Sequence, residues 1–252
     1  MQQAFLRRCN ALVSRSRVVA VVLAVVFAVG FLSALTLHGA NLTGLVEWVL
    51  MLPLAAAAYV WCSRRQLLTW GEVLAALRQR GAVLALRWAL GYFGSSLAFM
   101  ALGMVVVWGV RVLAAFYPPP SHASVDYAAI VLISWLFPLV AHPWYAMLAV
   151  VVATWPGTQI GGVFRETWRH CRRWLGACLL LGLVSAVVSR GVWPAVMMVT
   201  APWQPLSLAL SRALKAVTVA VGEVVAMWLV LVSAGLVARE DSRTFPGADD
   251  AF

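Results

Sequence analysis

The chain has 252 residues, of which 63% are hydrophobic and only 11% charged, and its mean hydropathy is +0.89. Because soluble domains average about 25% charged residues, this composition excludes an ordinary soluble globular domain and predicts one integral membrane domain over residues 1–252. The net charge of +10 comes from 18 Arg and one Lys against nine acidic residues. Since most of the arginines flank apolar segments, we expect anionic lipid headgroups rather than nucleic acid as the partner.

Three apolar segments in the first half of the chain have the length of membrane spans: residues 18–37, 42–61 and 82–116. The first is longer than the apolar core of a signal peptide, so we interpret it as an uncleaved span. At 1.5 Å per residue the third exceeds a bilayer core of about 30 Å, so it must tilt or project. Small residues at 91–96 within it favour close approach of a neighbouring helix.

Three more spans are predicted in the second half, at residues 127–154, 174–189 and 208–238. A loop containing His122 and Asp126 precedes the first of these, and the polar tail 239–252 is predicted to be disordered. The sequence therefore predicts an all-α, polytopic bundle of six transmembrane helices.

The distribution of basic residues predicts the orientation of these spans. Fourteen arginines fall in segments on one side and only four basic residues on the other, alternating across the six spans. Because Lys and Arg are enriched on the cytoplasmic side, both termini are predicted to lie inside, on the cytoplasmic side of the membrane.

Two of the basic segments are amphipathic at helical spacing. The stronger precedes the fifth span and places apolar residues from Val163 to Leu175 on one face, with His170 among the arginines on the other; a weaker one lies at about 73–84. Both are predicted to be interfacial helices. The predicted headgroup-binding residues are Arg78, Arg80, Arg165, Arg169, Arg172 and Arg173.

The chain also carries signs of an internal duplication. A Thr-Trp pair follows sixteen residues after Pro53 and again sixteen residues after Pro138, at an offset of 85 residues. We interpret residues 42–116 and 127–190 as two units of two spans each, which have the same orientation and form a parallel repeat. Two unrelated spans that each contain a proline are the alternative.

The order of spans and the segment 162–169, GVFRETWR, with its small residue, aromatic residue and Arg-x-x-Trp, support a resemblance. The chain resembles the six-span bacterial membrane proteins related to the membrane domain of glycerophosphoryl diester phosphodiesterase. It has Pro138-Leu139 where that family often has Pro-Gly. The resemblance implies a fold and a location, the bacterial inner (cytoplasmic) membrane, and it transfers no site residue.

Ionisable residues within spans are functional candidates because burying a charge in a bilayer is costly. They are Glu47, Arg87, Arg111, His142 and Glu223. A structural Glu-Arg cluster is one interpretation, and a proton or cation carrier at Glu223 or Glu47 is the other. For His142, a hydrogen bond between helices is favoured over metal binding, and no metal or cofactor is predicted.

The four cysteines are Cys9, Cys62, Cys171 and Cys178. None lies in a predicted external loop, so no disulfide is expected. Cys171 and Cys178 share a helix face and are interpreted as packing residues.

No catalytic motif is recognisable, and we predict that the protein is not an enzyme. The favoured function is a membrane-organising or accessory scaffold subunit with basic helices on anionic lipid, together with a membrane-protein partner or a second copy. The alternative is a transporter of a small solute, ion or lipid that uses Glu223, Glu47 and His142.

Overall fold

The computed structural model describes residues 15–35, 40–64, 69–116, 122–154, 160–188 and 206–244. Within these ranges the chain forms seven α-helices and no β-strand, which confirms the all-α class. The helices are α1 (Arg17–Leu35), α2 (Ala40–Arg64), α3 (Trp70–Phe116), α4 (His122–Thr154), α5 (Ile160–Arg173), α6 (Leu175–Ala186) and α7 (Leu206–Thr244).

Three of the helices are long and apolar enough to cross a membrane. The corresponding segments are Gly81–Phe116 of α3, Ala129–Thr154 of α4 and Ala216–Glu240 of α7. The described apolar parts of α1, α2 and α6 are shorter; α6, with 12 residues, is only about 18 Å long. The chain is therefore a helical protein with three helices of membrane-spanning length, and the six-span arrangement stays a prediction.

Helices α4 and α7 form the centre of the bundle. Helix α4 packs against α2, α3, α5, α6 and α7, while α7 also packs against α1 and α2. Residues Tyr145 to Val152 are all buried, so this part of α4 is enclosed on every side. Small and β-branched side chains dominate it, which lets five neighbours approach one helix.

Helix α1 meets α7 through a stripe of small residues. Val18, Val22 and Val26 are each only 1% exposed and recur every four residues, which places them on one face. Gly30 continues the stripe, and a Cβ added there would lie 3.2 Å from the Cα of Ala220. A side chain at this position would crowd the backbone of α7, so glycine favours the close approach of the two helices.

Helix α3 is continuous over 47 residues, or about 70 Å. The weaker amphipathic segment at 73–84 therefore runs into the following apolar segment without a break. In the second half of the chain, α5 and α6 are separated at Trp174, which has φ −106° and ψ 27°. The two predicted repeat units thus differ at this point, and the duplication stays a prediction.

Two boundaries differ from the sequence prediction. His122 and Asp126 lie in the first turns of α4 and not in a loop, since the prolines at 118–120 precede this helix without interrupting it. The sequence predicts disorder for the tail 239–252, but α7 extends to Thr244, and Glu240 within this extension is buried. Residues 245–252 lie outside the described part of the chain.

Large apolar side chains cover much of the molecular surface. In α3, no residue of the most apolar 18-residue window is buried, and Leu97, Met104 and Trp108 are each about two-thirds exposed. A continuous apolar surface of this size is unfavourable in water but is the natural exterior of a helix in hydrocarbon. The surface thus agrees with the membrane class that the composition predicts.

Candidate functional site

Helix α5 buries a stripe that includes a histidine. Val163, Thr167 and His170 are 1%, 0% and 3% exposed, at spacings of four and three residues that define one helix face. The Thr167 hydroxyl donates to the Val163 carbonyl at 2.8 Å, so its burial leaves no unpaired polar atom. The sequence pattern predicts that His170 lies on the polar face of α5 and Trp168 on its apolar face. In the structure His170 is buried instead, and Trp168 is 61% exposed.

The partner of His170 is Glu240, near the end of α7. Glu240 is 3% exposed and was not among the predicted site residues. A helical period does not distinguish it, since α7 is buried on almost every side between Ala226 and Ala238. The sequence therefore contains no periodic signal for the burial of Glu240.

Both carboxylate oxygens of Glu240 accept hydrogen bonds from α5. Nδ1 of His170 lies 2.8 Å from Oε2, and because an ionised carboxylate can only accept, Nδ1 carries the proton. Arg173 donates from Nη1 to Oε1 at 2.5 Å. The carboxylate is therefore held by two donors, and it fixes the end of α7 to α5.

A second carboxylate completes this group. Glu166 pairs with Arg169 one turn along α5, and its Oε1 lies 3.6 Å from Nε2 of His170. We call Glu166, Arg169, His170, Arg173 and Glu240 the α5–α7 polar cluster. It is buried at His170 and Glu240 and open at the arginines, whose side chains are 59% exposed at Arg169 and 55% at Arg173.

The exposed side of α5 is cationic. Arg165 and Arg172 are exposed as well, so four arginines of one 14-residue helix reach its outer surface. The guanidinium group presents several N–H donors in a planar fork that matches phosphate oxygens. Chemically, this face is suited to bind anionic phosphate groups.

Backbone hydrogen bonds flank the break between α5 and α6. The Trp174 amide donates to the His170 carbonyl and the Cys178 amide donates to the Trp174 carbonyl, each at 2.9 Å. Across the break the thiols of Cys171 and Cys178 are hydrogen-bonded, and this bond together with burial raises the pKa of Cys171. The indole N–H of Trp174 is buried and meets no acceptor among the described residues.

The predicted intramembrane residues lie at separate helix contacts. His142 of α4 shares a hydrogen bond of 2.6 Å with Ser185 of α6, which is the helix-to-helix bond that the sequence favoured. Glu223 of α7 lies against Gly30 of α1. Arg87 is buried in α3, and Arg111 lines a groove between α3 and α4.

The small residues at 91–96 are contact positions, as predicted. A Cβ added at Gly91 would touch Leu148 at 3.4 Å, and Ser96 shares a hydrogen bond of 2.8 Å with Tyr145. Ser95 accepts a hydrogen bond of 2.7 Å from the indole of Trp144. Together these contacts fix α3 against α4.

The side chains of three predicted site residues lie outside the described part of the structure; these residues are Glu47, Arg78 and Arg80. The predicted Glu-Arg cluster and the second basic helix therefore stay predictions. Among the described residues no group of three or more His, Cys, Asp or Glu is arranged to hold a metal ion.

Fold and site together define an all-helical membrane protein with a buried carboxylate-histidine contact beneath a cationic helix face. Comparisons of the chain with protein-family models, with curated proteins and with solved structures give no match. The geometry of the described residues is therefore the basis on which a function can be proposed.

Proposed function

We propose that this chain is a non-catalytic, multi-pass protein of the bacterial inner membrane that acts as a membrane-organising or accessory scaffold subunit. Its basic helix α5 holds an arginine face against anionic lipid headgroups. The observation that carries the proposal is the pair His170 and Glu240, each 3% exposed and 2.8 Å apart, which fixes α5 to α7.

This anchoring matters because a flexible basic segment loses conformational freedom when it binds, whereas a fixed helix does not. Each arginine near an anionic membrane surface contributes about 1 kcal/mol. Four arginines against the two carboxylates Glu166 and Glu240 leave this face with a net positive charge, which gives α5 a preference for anionic lipid. The outward Trp168 adds an aromatic anchor suited to the headgroup region.

The same proposal includes a topology of six spans with both termini inside and a parallel repeat. Arg78 and Arg80 are proposed to contact headgroups from the start of α3. A reporter that is active only outside the cytoplasm, fused after Arg80 or after Arg173, is expected to remain inactive. Activity at either junction contradicts the topology. The resemblance to the membrane domain of glycerophosphoryl diester phosphodiesterase remains a prediction that agrees with this arrangement.

The lipid preference can be measured on the purified full chain. The variant with Arg165, Arg169 and Arg172 changed to Gln is compared with a control that changes Arg190, Arg212 and Lys215 to Gln, which removes the same charge from the predicted outer edge. Each protein is extracted into nanodiscs from mixed phosphatidylglycerol and phosphatidylcholine, and the retained lipids are quantified.

We expect the α5 variant to lose at least fivefold in phosphatidylglycerol enrichment, since one arginine alone contributes about 1 kcal/mol. The control is expected to stay close to the wild type. Equal enrichment in all three proteins contradicts the proposed role of α5. Melting temperatures measured in parallel separate lost lipid binding from lost folding.

The transporter of a small solute, ion or lipid remains the alternative prediction. Glu223 and His142 lie at different helix contacts, so a path that uses both must pass through the centre of the bundle. Cysteines introduced around position 223 and treated with a membrane-impermeant thiol reagent test it. Labelling from either side favours transport, and complete protection counts against it.

A further inference from the structure

A groove of about 480 Å³ runs between α3 and α4. Its walls include Met100, Gly103, Met104 and Trp108 of α3 and Phe137 of α4, and Arg111 lies at one end. This volume falls within the range of about 300–1,000 Å³ that is typical of small-molecule sites. The groove is thus large enough to hold a ligand.

The lining of the groove is apolar along its length and charged at one end. The α3 residues that line it extend from Phe99 to Arg111, which is about 18 Å along the helix axis. Among the residues that the structure describes, Arg111 is the one charged residue in its lining. A ligand complementary to this groove is therefore long and apolar with an anionic terminus.

The position of Arg111 in the sequence indicates where that anionic terminus lies. Between Arg87 and Arg111 are 23 residues without a charge, or about 35 Å of helix, close to the thickness of a bilayer core. Arg111 is therefore placed at headgroup depth when this segment spans the membrane. The groove then extends from the headgroup region into the hydrocarbon.

The walls are suited to a flexible chain. Met100 and Met104 are 63% and 66% exposed, and methionine side chains adapt their shape to a partner because they are unbranched and polarisable. A Cβ added at Gly103 would have no neighbour within 4 Å. The glycine thus leaves open space in the wall of the groove.

From this complementarity we infer that the α3–α4 groove binds one anionic phospholipid. An acyl chain lies along Met100, Gly103 and Met104, and the phosphate group is bound by Arg111. This site is independent of the one proposed for α5, since it uses other residues on other helices, and either can fail without the other.

The test uses the full chain in nanodiscs with a phosphatidylglycerol that carries a photoreactive diazirine in its acyl chain. Peptide mass spectrometry locates the attached lipid. Gly103→Leu places a side chain in the groove, and Gly109→Leu is the matched control, because Gly109 also has open space but does not line the groove. Arg111→Gln and Arg111→Lys test the charge.

We expect attachment to concentrate on the groove walls around Met100, Met104 and Phe137, with at least fivefold less in Gly103→Leu and wild-type levels in Gly109→Leu. Arg111→Gln is expected to lower attachment about fivefold, the equivalent of about 1 kcal/mol for one basic side chain near an anionic headgroup. Arg111→Lys is expected to retain most of it.

Three results would overturn the inference. One is attachment spread evenly over the other exposed apolar faces, such as that of Leu180 and Leu183 in α6. Another is equal labelling by a matching phosphatidylcholine probe, which identifies general lipid contact. The third is a dimer of the chain that Gly103→Leu breaks while lipid labelling is unchanged, which identifies a second copy as the occupant.

Discussion

The backbone of Gly182 in α6 lies directly against the carbonyl oxygen of Leu139 in α4, so a Cβ built on Gly182 would overlap that oxygen. Pro143 explains why this carbonyl is accessible. It stands four residues after Leu139, where a helix would normally supply an N–H donor, and proline has none. The Cα–H of Gly182 can then approach this oxygen closely. The close contact therefore depends both on the proline in α4 and on the glycine in α6.

Gly182→Ala is therefore expected to destabilise the bundle by about 1–3 kcal/mol, the typical cost of overpacking a well-packed contact. Gly176→Ala is the matched control in the same helix, because a Cβ at Gly176 would have no neighbour within 4 Å. Thermal unfolding in one detergent measures both. Equal melting temperatures for the two variants would argue against the close contact at Leu139.

Removing the Glu240 carboxylate should loosen α5 from α7. Glu240→Ala leaves buried His170 without its acceptor, and an unsatisfied buried polar group costs about 1–3 kcal/mol. Since Glu166 pairs with the largely exposed Arg169, Glu166→Ala is expected to cost less. Hydrogen exchange along α5 and α7 is the measurement, and we expect faster exchange in both helices for Glu240→Ala alone.

A double-mutant cycle isolates the pair itself. If His170 and Glu240 act as one unit, the combined variant His170→Ala and Glu240→Ala should be more stable than the sum of the single effects predicts, with a coupling of about 0.5–3 kcal/mol. Simple additivity of the two substitutions would show that neither residue depends on the other.

Much of the helix pattern was predictable because long apolar segments and charge-bearing flanks are local signals. The sequence placed the end of α3 at residue 116 and the end of α4 at 154, as the structure does. The boundary between the interfacial helix and the fifth span is predicted at residue 174, where the polar residues end, and the structure has a non-helical residue at Trp174.

The polar cluster was harder to predict because it joins residues 70 positions apart. The many charged residues of α5 predict that its arginines are exposed, but they do not predict that His170 is buried among them. The spacing of Val163, Thr167 and His170 places all three on one face of α5, but no pattern in α7 indicates that Glu240 is buried against that face. The contact between α5 and α7, and not the local composition of α5, therefore determines that His170 is buried.

Glu223 offers a test between the proposed function and the transport alternative. Its side chain lies against Gly30 of α1 and is half-buried. If its role is structural, Glu223→Gln keeps the shape of the side chain and is expected to leave growth, abundance and melting temperature close to those of the wild type. A loss of ion- or solute-dependent growth with unchanged abundance would favour transport.

The reactivity of Cys171 is expected to be low. The hydrogen bond to Cys178 and burial raise the pKa of the Cys171 thiol, and the thiolate is the reactive form. At pH 7.5, maleimide should therefore label Cys171 much more slowly in the folded chain than in the denatured chain. Cys178→Ala removes the hydrogen bond, so labelling of Cys171 should speed up; an unchanged rate would attribute its protection to burial alone.

The start of α3 should respond to pH. The Thr69 amide donates to the Glu72 carboxylate at 2.7 Å, and the Glu72 amide donates back to the Thr69 hydroxyl at 3.3 Å, which is a capping box. The hydrogen bond from the Thr69 backbone, followed by that from its hydroxyl, lowers the pKa of Glu72.

Because the pKa of Glu72 is lower in the folded state, its stabilising effect is complete above the unfolded-state pKa of about 4.3. This stabilisation is lost as the pH falls through the folded-state pKa. Hydrogen exchange over the first turns of α3, corrected for intrinsic rates, should therefore be slower in the wild type than in Glu72→Gln at pH 6, and this difference should be smaller at pH 3. A difference of the same size at both pH values would mean that the charge of Glu72 has no part in the cap.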